Sequence, residues 1–273
     1  MIRVDNLGMT YPGGIRALAP TDLEFHAGEF TVLLGPSGAG KSTLLRCLNL
    51  LIEPSSGVIS TSPLGELRSR GEIQWHRRST GMIFQQHQLI TRYTALDNVL
   101  IGRIGCYGAW RSLLPLPRKD KVFAMSCLER VGLIGKALVR VDRLSGGEQQ
   151  RVGIARALAQ EPNVILADEP VASLDPATAQ NVLSLLHRIC KSENLAAIVS
   201  LHQVHLAKIY ADRIVGLAQG RVVFDGPPAA LAEAELERIY GSQAGDARSP
   251  EVEKTPVAAP FTLPQLSSVQ PSS

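Results

Sequence analysis

Nine consecutive residues, Gly35-Pro36-Ser37-Gly38-Ala39-Gly40-Lys41-Ser42-Thr43, have the types and spacing needed to hold a row of phosphates. They fit the pattern GxxxxGK[ST], follow the apolar run FTVLL and precede leucines at helical spacing. A polyphosphate needs several backbone N–H donors pointing one way, and a glycine-rich turn at a helix N-terminus supplies them. Gly38 and Gly40 let the backbone come close, Lys41 reaches the terminal phosphates, and the Ser42 hydroxyl suits a Mg²⁺ ion. A second chemical element is VILADEP, Val164 to Pro170, an apolar strand pattern ending in adjacent carboxylates. If the strand runs through both, Asp168 and Glu169 project in opposite directions. One then faces a metal and the other an attacking water, as phosphate hydrolysis requires.

The third element is LSGGEQQR, Leu144 to Arg151. Ser145 followed three residues later by Glu148 is a capping box and marks a helix start. That local role leaves Gly146 and Gly147 unexplained, because glycine in a first helical turn is costly unless some group must approach the backbone. A phosphate at a second helix N-terminus would be such a group.

These motifs need a scaffold that gathers strand ends. Short runs rich in Val, Ile, Leu and Phe alternate with amphipathic segments, the pattern of an α/β fold with a largely parallel sheet flanked by helices. Strands are predicted over 2–9, 22–26 and 30–34, the first part looking antiparallel, and later over 81–84, 164–168, 196–201, 213–217 and 221–225. A helix is predicted over 41–52, with Leu44, Leu45, Leu48 and Leu51 on one face. Between about residues 86 and 161 helical signals dominate, which reads as a helical subdomain inserted in an α/β core. From residue 242 to 273 the chain turns to Pro, Ser, Ala and Val without periodicity, so a disordered tail is expected after a domain over 1–241.

Composition excludes several classes. The 273 residues are 45% hydrophobic and 19% charged with a net charge of +3, an ordinary globular balance that offers no strong field for gripping nucleic acid. No run approaches the ~18 apolar residues of a membrane span, and the N-terminus lacks the apolar core of a signal peptide. The expectation is a cytosolic chain unless a partner recruits it. Cys47, Cys106, Cys127 and Cys190 form no CxxC pair, so reduced thiols in the core are expected in place of disulfides or zinc.

Together the three motifs carry a family resemblance. The sequence resembles the ATP-binding subunits of ABC transporters over about residues 1–241, with LSGGEQQR matching their signature in full. The resemblance implies a P-loop ATPase core with an antiparallel β subdomain and an inserted helical subdomain. It also implies roles for residues that local pattern alone would leave structural. Tyr11, in MTYPGG, would stack on adenine, and Gln85, in GMIFQQ, would contact Mg²⁺ or its water and sense the membrane partner. Asp175, in SLDP, would communicate between subunits, although it is also a good helix start before Pro176. His202, in IVSLHQV, would contact the γ-phosphate.

In this family two ATP-binding subunits face head to tail, each ATP lying between the phosphate loop of one and the signature of the other. One chain here holds one set of motifs, so a homodimer is implied. Ser145 and Gly147 would reach the ATP of the opposing copy, Asp168 would help hold Mg²⁺ and Glu169 would polarise the attacking water. The channel would be a separate integral membrane permease, docked at the helical region after Gln85, placing this subunit peripherally on the cytoplasmic face of the inner membrane. Within the family the chain is most similar to the subunits of phosphonate importers, on NVLIGRIGCYGAWRSL, LADEPVASLDP, SLHQV, YADRIVGL and VVFDGPP. That implies phosphonate uptake, with an extracytoplasmic phosphonate-binding protein acting through the permease. Importers of phosphate, phosphite or a polar amino acid are the alternative. Residues 61–74 and the tail depart from the subfamily pattern. A small-molecule kinase would leave LSGGEQQR without a purpose. Soluble family members in translation or DNA repair usually carry two cassettes or a long coiled coil, and neither is present.

Overall fold

The computed structural model describes residues 1–84, 88–105, 107 and 116–241. β1 (Ile2–Thr10) and β2 (Arg16–Phe25) pair antiparallel, and β3 (Phe30–Leu34) leaves for a second sheet and runs through a glycine-rich turn into α1 (Lys41–Leu48). The chain then returns with β4 (Ser56–Thr61) and β5 (Gly65–Glu66), giving the four-stranded antiparallel order β2-β1-β4-β5. α2 (Arg70–Arg78), opened by a Ser69–Glu72 capping box, leads into β6 (Thr80–Ile83).

A helical stretch follows, α3 (Ala95–Ile104), α4 (Arg118–Arg130) and α5 (Gly146–Leu158). The chain then alternates strand and helix: β7 (Val164–Asp168), α6 (Pro176–Ser192), β8 (Ala196–Ser200), α7 (Val204–Tyr210), β9 (Arg213–Ala218), β10 (Arg221–Gly226) and α8 (Glu233–Tyr240). The second sheet has the order β10-β9-β3-β8-β7-β6, parallel except for β10, which runs antiparallel to β9. Register matters most for function. Ser200 lies beside Leu33 on one side and Asp168 on the other, so β3, β8 and β7 end together at one edge. That carboxyl edge of a parallel sheet is where α/β folds place ligands.

Alternation of side chains explains why FTVLL is apolar without a break. Phe30, Val32 and Leu34 point into one core with α3, α4, α5 and α6, whereas Leu33 points into a second core between the two sheets. That second core encloses α1, whose Leu44, Leu45, Cys47 and Leu48 meet Val4 and Leu7 of β1, Leu18 and Phe25 of β2 and Leu166 and Ile198 of the parallel sheet. Each fully buried leucine there is worth about 1.5–3 kcal/mol. The helix that follows the phosphate loop is therefore anchored from both sides.

Some boundaries differ from expectation for physical reasons. α1 ends at Leu48 rather than residue 52, because Leu50 turns to φ +52° and the terminal carbonyls are taken elsewhere. His76 Nε2 bonds to the Leu48 carbonyl at 2.7 Å and Arg77 to that of Leu50, leaving Leu51 exposed. β2 begins six residues before the predicted Asp22; it lies at a sheet edge, where Pro20 is tolerated. β4, β5 and α2 were not anticipated. β4 is mostly exposed and carries little apolar alternation, whereas the S-x-x-E box at Ser69 was a usable sign of α2. Cys47, Cys127 and Cys190 are buried free thiols as expected, with burial pushing Cys47 up to about 11 and Cys190 up to about 12. Cys106 and the tail expected over 242–273 lie outside the described residues.

Candidate functional site

The phosphate loop is held in shape by its own backbone. Gly40 caps α1 in a left-handed conformation, φ +104°, and a Cβ there would come within 2.6 Å of the Ala17 carbonyl, so only glycine fits. No side chain caps α1, and its first turn carries no acid. Its free N–H groups and the positive end of the helix dipole are thus open to an anion. Lys41 is buried, and its Nζ donates to the carbonyls of Gly35 at 2.7 Å and Pro36 at 3.0 Å, folding back over the loop. Burial pushes the ammonium below the usual lysine range, and the Glu169 and Asp168 carboxylates oppose that shift.

Strand register delivers the acidic side. Asp168 ends β7, and its Oδ1 accepts from Ser42 Oγ at 2.8 Å and from Ser200 Oγ at 3.0 Å. Ser200 Oγ in turn accepts from the Glu169 amide at 2.8 Å. The expectation that Asp168 and Glu169 face opposite ways is corrected here. The strand stops at Asp168, and Glu169 takes a left-handed φ of +48°, a conformation that non-glycine residues hold at functional sites when surroundings enforce it. The turn keeps both carboxylates on one site. Glu169 bonds to His202 Nε2 and lines, with Ala17, Ser37, Gly38, Ala39, Gly40, Lys41, Ser42, Thr43 and His202, a cavity of about 330 Å³. Tyr11 borders this region from the end of β1, its hydroxyl 3.4 Å from Thr43 Oγ1.

Four of the expected residues sit elsewhere. Ser145 is the N-cap of α5, with the anticipated capping box: its side chain accepts from the Glu148 amide while Glu148 accepts from the Ser145 amide at 3.0 Å. The close approach that Gly147 requires is made within the chain, since a Cβ there would overlap the Thr178 methyl, and one on Gly146 would sit 3.3 Å from Leu174 Cδ2. Asp175 caps α6, accepting from the Thr178 amide at 3.0 Å, and the Thr178 hydrogen bonds hold its carboxyl below the usual range. None of Ser145, Gly146, Gly147 and Asp175 lines the phosphate-loop cavity.

Ser200, fully buried between Asp168 and Glu169, is a site residue that sequence reasoning missed, although it stands two positions before His202. Ala17 was missed as well, because only folding brings β2 against the loop. Gln85 and Trp110 lie outside the described residues; in the described part of the same segment, Tyr107 bonds to Asp120, which also pairs with Arg103 at 3.1 Å. Ser42 and Asp168 offer hard oxygen donors, the set that Mg²⁺ takes, and among the described residues no cluster of three or more His, Cys, Asp or Glu side chains forms a metal site. An ion there would be held by few protein atoms together with phosphates. No described helix is long and apolar enough to cross a membrane.

The profile of the family described as ABC transporter matches residues 18–172, which includes the phosphate loop, the signature and the Asp168–Glu169 strand end. The chain belongs to the ABC transporter family. Among ABC ATP-binding proteins, it is 60% identical over 242 residues to the phosphonates import ATP-binding protein PhnC 3 of Nostoc sp., covering 89% of this chain and 92% of that one. It is 61% identical over 243 residues to the phosphite import ATP-binding protein PxtA of Stutzerimonas stutzeri, covering 89% and 88%. Among solved structures, the dimeric post-hydrolysis state of the ATP-binding cassette MJ0796 bound to ADP and Pi matches with a TM-score of 0.73 at 33% identity, over 84% of this chain and 99% of that one. The cbiO1 protein of Clostridium perfringens, part of the cbiONQ ABC transporter complex, matches with a TM-score of 0.75 at 31% identity, over 87% and 92%.

Proposed function

We propose that this chain is the ATP-hydrolysing subunit of a bacterial ABC importer, coupling ATP binding and hydrolysis to phosphonate uptake through a separate permease. The observation that carries the reading is the convergence of Lys41, Ser42, Asp168, Glu169 and His202 at the uncapped start of α1. The free α1 amides and Lys41 bind the β- and γ-phosphates, exchanging the Gly35 and Pro36 carbonyls for phosphate oxygens. Tyr11 lies where its ring can support the adenine. Glu169 orients and deprotonates the water in line with the γ-phosphate, and His202, its hydrogen-bond partner, steadies the transferred group. Mg²⁺, held by Ser42 and Asp168 and, on the family resemblance, Gln85, would neutralise charge between the β- and γ-phosphates.

Two copies close the site. Ser145, Gly146 and Gly147 stand apart from their own chain's cavity, so they serve the ATP of an opposing copy in a head-to-tail homodimer, with Asp175 between the two. Membrane permease subunits take the resulting motion, through the helical part of a single domain over 1–241, and hold this subunit peripherally at the cytoplasmic face of the inner membrane. A phosphonate-binding protein outside the membrane acts indirectly, through the permease, and nucleic acid has no part.

Phosphite is the second reading, favoured by the 61% identity to the Stutzerimonas stutzeri relative. This subunit does not touch the transported compound, so the two readings share one ATP site. The deciding experiment measures ATP hydrolysis by the subunit reconstituted with its permease, with binding protein loaded with a phosphonate, phosphite or phosphate. Stimulation by the phosphonate-loaded protein alone supports phosphonate import. Preferential stimulation by phosphite moves the assignment to the second reading, and no ATP hydrolysis in any arm overturns both.

A further inference from the structure

A groove of about 510 Å³ lies between the end of α4, the first two turns of α5 and one face of α6. It shares no lining residue with the cavity that holds Lys41, Glu169 and His202. Its size suits a small-molecule ligand. Buried Val131, Val182 and Leu185 give it an apolar lining, and on α6 Asn181, Leu185 and Arg188 recur at helical spacing toward it.

The charged residues on its wall divide into paired and unpaired. Arg130 pairs with Glu193 and Glu148 with Lys136, in each case a partner outside the groove. Arg151 of α5 donates one N–H to the Val131 carbonyl at 3.2 Å, and its guanidinium lies against Gly132, where a Cβ would stand 3.5 Å from Nη1. Arg188 and the Asn181 side-chain amide make no hydrogen bond or ion pair with any described residue. Against these stands one unpaired carboxylate, the exposed Glu129. A guanidinium carries five donors and no acceptor, so the groove has a surplus of hydrogen-bond donors and of positive charge. That surplus calls for an anion rich in oxygen.

We propose that this groove binds a small oxyanion of phosphorus, a phosphate or a phosphonate, between Arg151 and Arg188, with Asn181 completing the donors. A carboxylate has two oxygens in one plane, which a single guanidinium fork satisfies; two forks arriving from different helices suit a tetrahedral anion with three oxygens. Ser145 and Gly147 also line the groove. On the function proposed above these residues meet the ATP of an opposing copy, so an anion seated beside them repels that triphosphate and slows hydrolysis. The slowing rests on that reading, whereas the binding does not.

The experiment titrates the full chain at fixed low ionic strength with inorganic phosphate, methylphosphonate and acetate by calorimetry, comparing wild type with Arg188→Gln, Asn181→Ala and Lys41→Ala. Arg188→Gln is expected to weaken binding of the phosphorus anion by about tenfold or more and Asn181→Ala by about threefold, whereas Lys41→Ala, which strips the phosphate loop of its ammonium, leaves it unchanged. Tighter binding of phosphate assigns the groove to the product of hydrolysis, and tighter binding of methylphosphonate to the transported class. No binding to the wild type overturns the proposal, as does binding lost in Lys41→Ala and kept in Arg188→Gln, or acetate binding as tightly as phosphate. ATP hydrolysis is then measured with the permease across the same concentrations. Arg188→Gln is expected to match the wild type in Tm and in hydrolysis without added anion, because its guanidinium has no partner to lose, and to resist the slowing that the anion imposes on the wild type. Equal slowing in both proteins overturns the regulatory role. Absence of hydrolysis without anion overturns the reading beneath that role, while the calorimetry still decides the binding.

Discussion

Two helices in this chain begin at glycine-rich sequences, and they treat their N-termini in opposite ways. α1 starts at Gly40 with no side-chain cap and no acid in its first turn, whereas α5 starts at Ser145 with a complete capping box and Glu148 in its first turn. A helix start exposes unpaired N–H groups and roughly half a positive charge. α5 satisfies much of that demand itself, and Lys136 in turn pairs with Glu148. α1 leaves the demand open and adds the Lys41 ammonium beside it. The first terminus leaves its N–H groups open. The second pairs part of its own, and on the reading proposed above what remains meets the ATP of an opposing copy.

The largest expected effect tests whether the two termini meet across a dimer. Glu169→Gln removes the base while leaving the amides of both helix starts intact, so hydrolysis should fall by about 10³-fold with ATP still bound. The ATP-loaded dimer should then accumulate in gel filtration; normal turnover by this variant would refute the role of Glu169, and a monomer loaded with ATP would separate the two termini.

A smaller effect asks why α5 needs its second glycine. Gly147→Ala should cost about 1–3 kcal/mol of stability, because the new methyl overlaps that of Thr178, and Thr178→Ser should recover most of it. Urea midpoints decide the matter. Unchanged stability would mean that the glycine answers only to the ligand.

The smallest effect concerns the far end of α1, which His76 ties down through the Leu48 carbonyl. Burial holds this imidazole below the usual histidine range, with Arg77 lowering it further and the Leu48 bond opposing the shift. Its folded pKa lies below the unfolded value of about 6.5, so its contribution is complete above that value and is lost as pH falls from there through the lowered folded pKa. Between pH 7 and pH 5 the urea midpoint should therefore drop more for the wild type than for His76→Gln. Equal slopes would remove His76 from the account.

Much of this was legible in the sequence, for reasons that differ from element to element. The strand over 30–34, the turn and the start of α1 were readable because an apolar run, a glycine pattern and leucines at helical spacing follow one another directly. The ends of β2 and α1 were not, since an edge position excuses Pro20 and the side chains of α2 claim the last carbonyls of α1. The direction of Glu169 was misjudged because nothing local announces a left-handed residue after an apolar strand; the Ser200 hydroxyl that receives its amide is 31 residues away.

The phosphate loop and the capped start of α5 were determined by sequence alone, because the donors that define each are neighbours in the chain and short-range sterics shape them. Tertiary structure alone decided that Ser42 meets Asp168, 126 residues distant, that Ser200 bonds both to the Asp168 carboxylate and to the Glu169 amide, and that α8 packs on Gly216. Those contacts depend on the order and register of parallel strands, and register is set by burying side chains from the whole sheet at once, which no local stretch of residues contains.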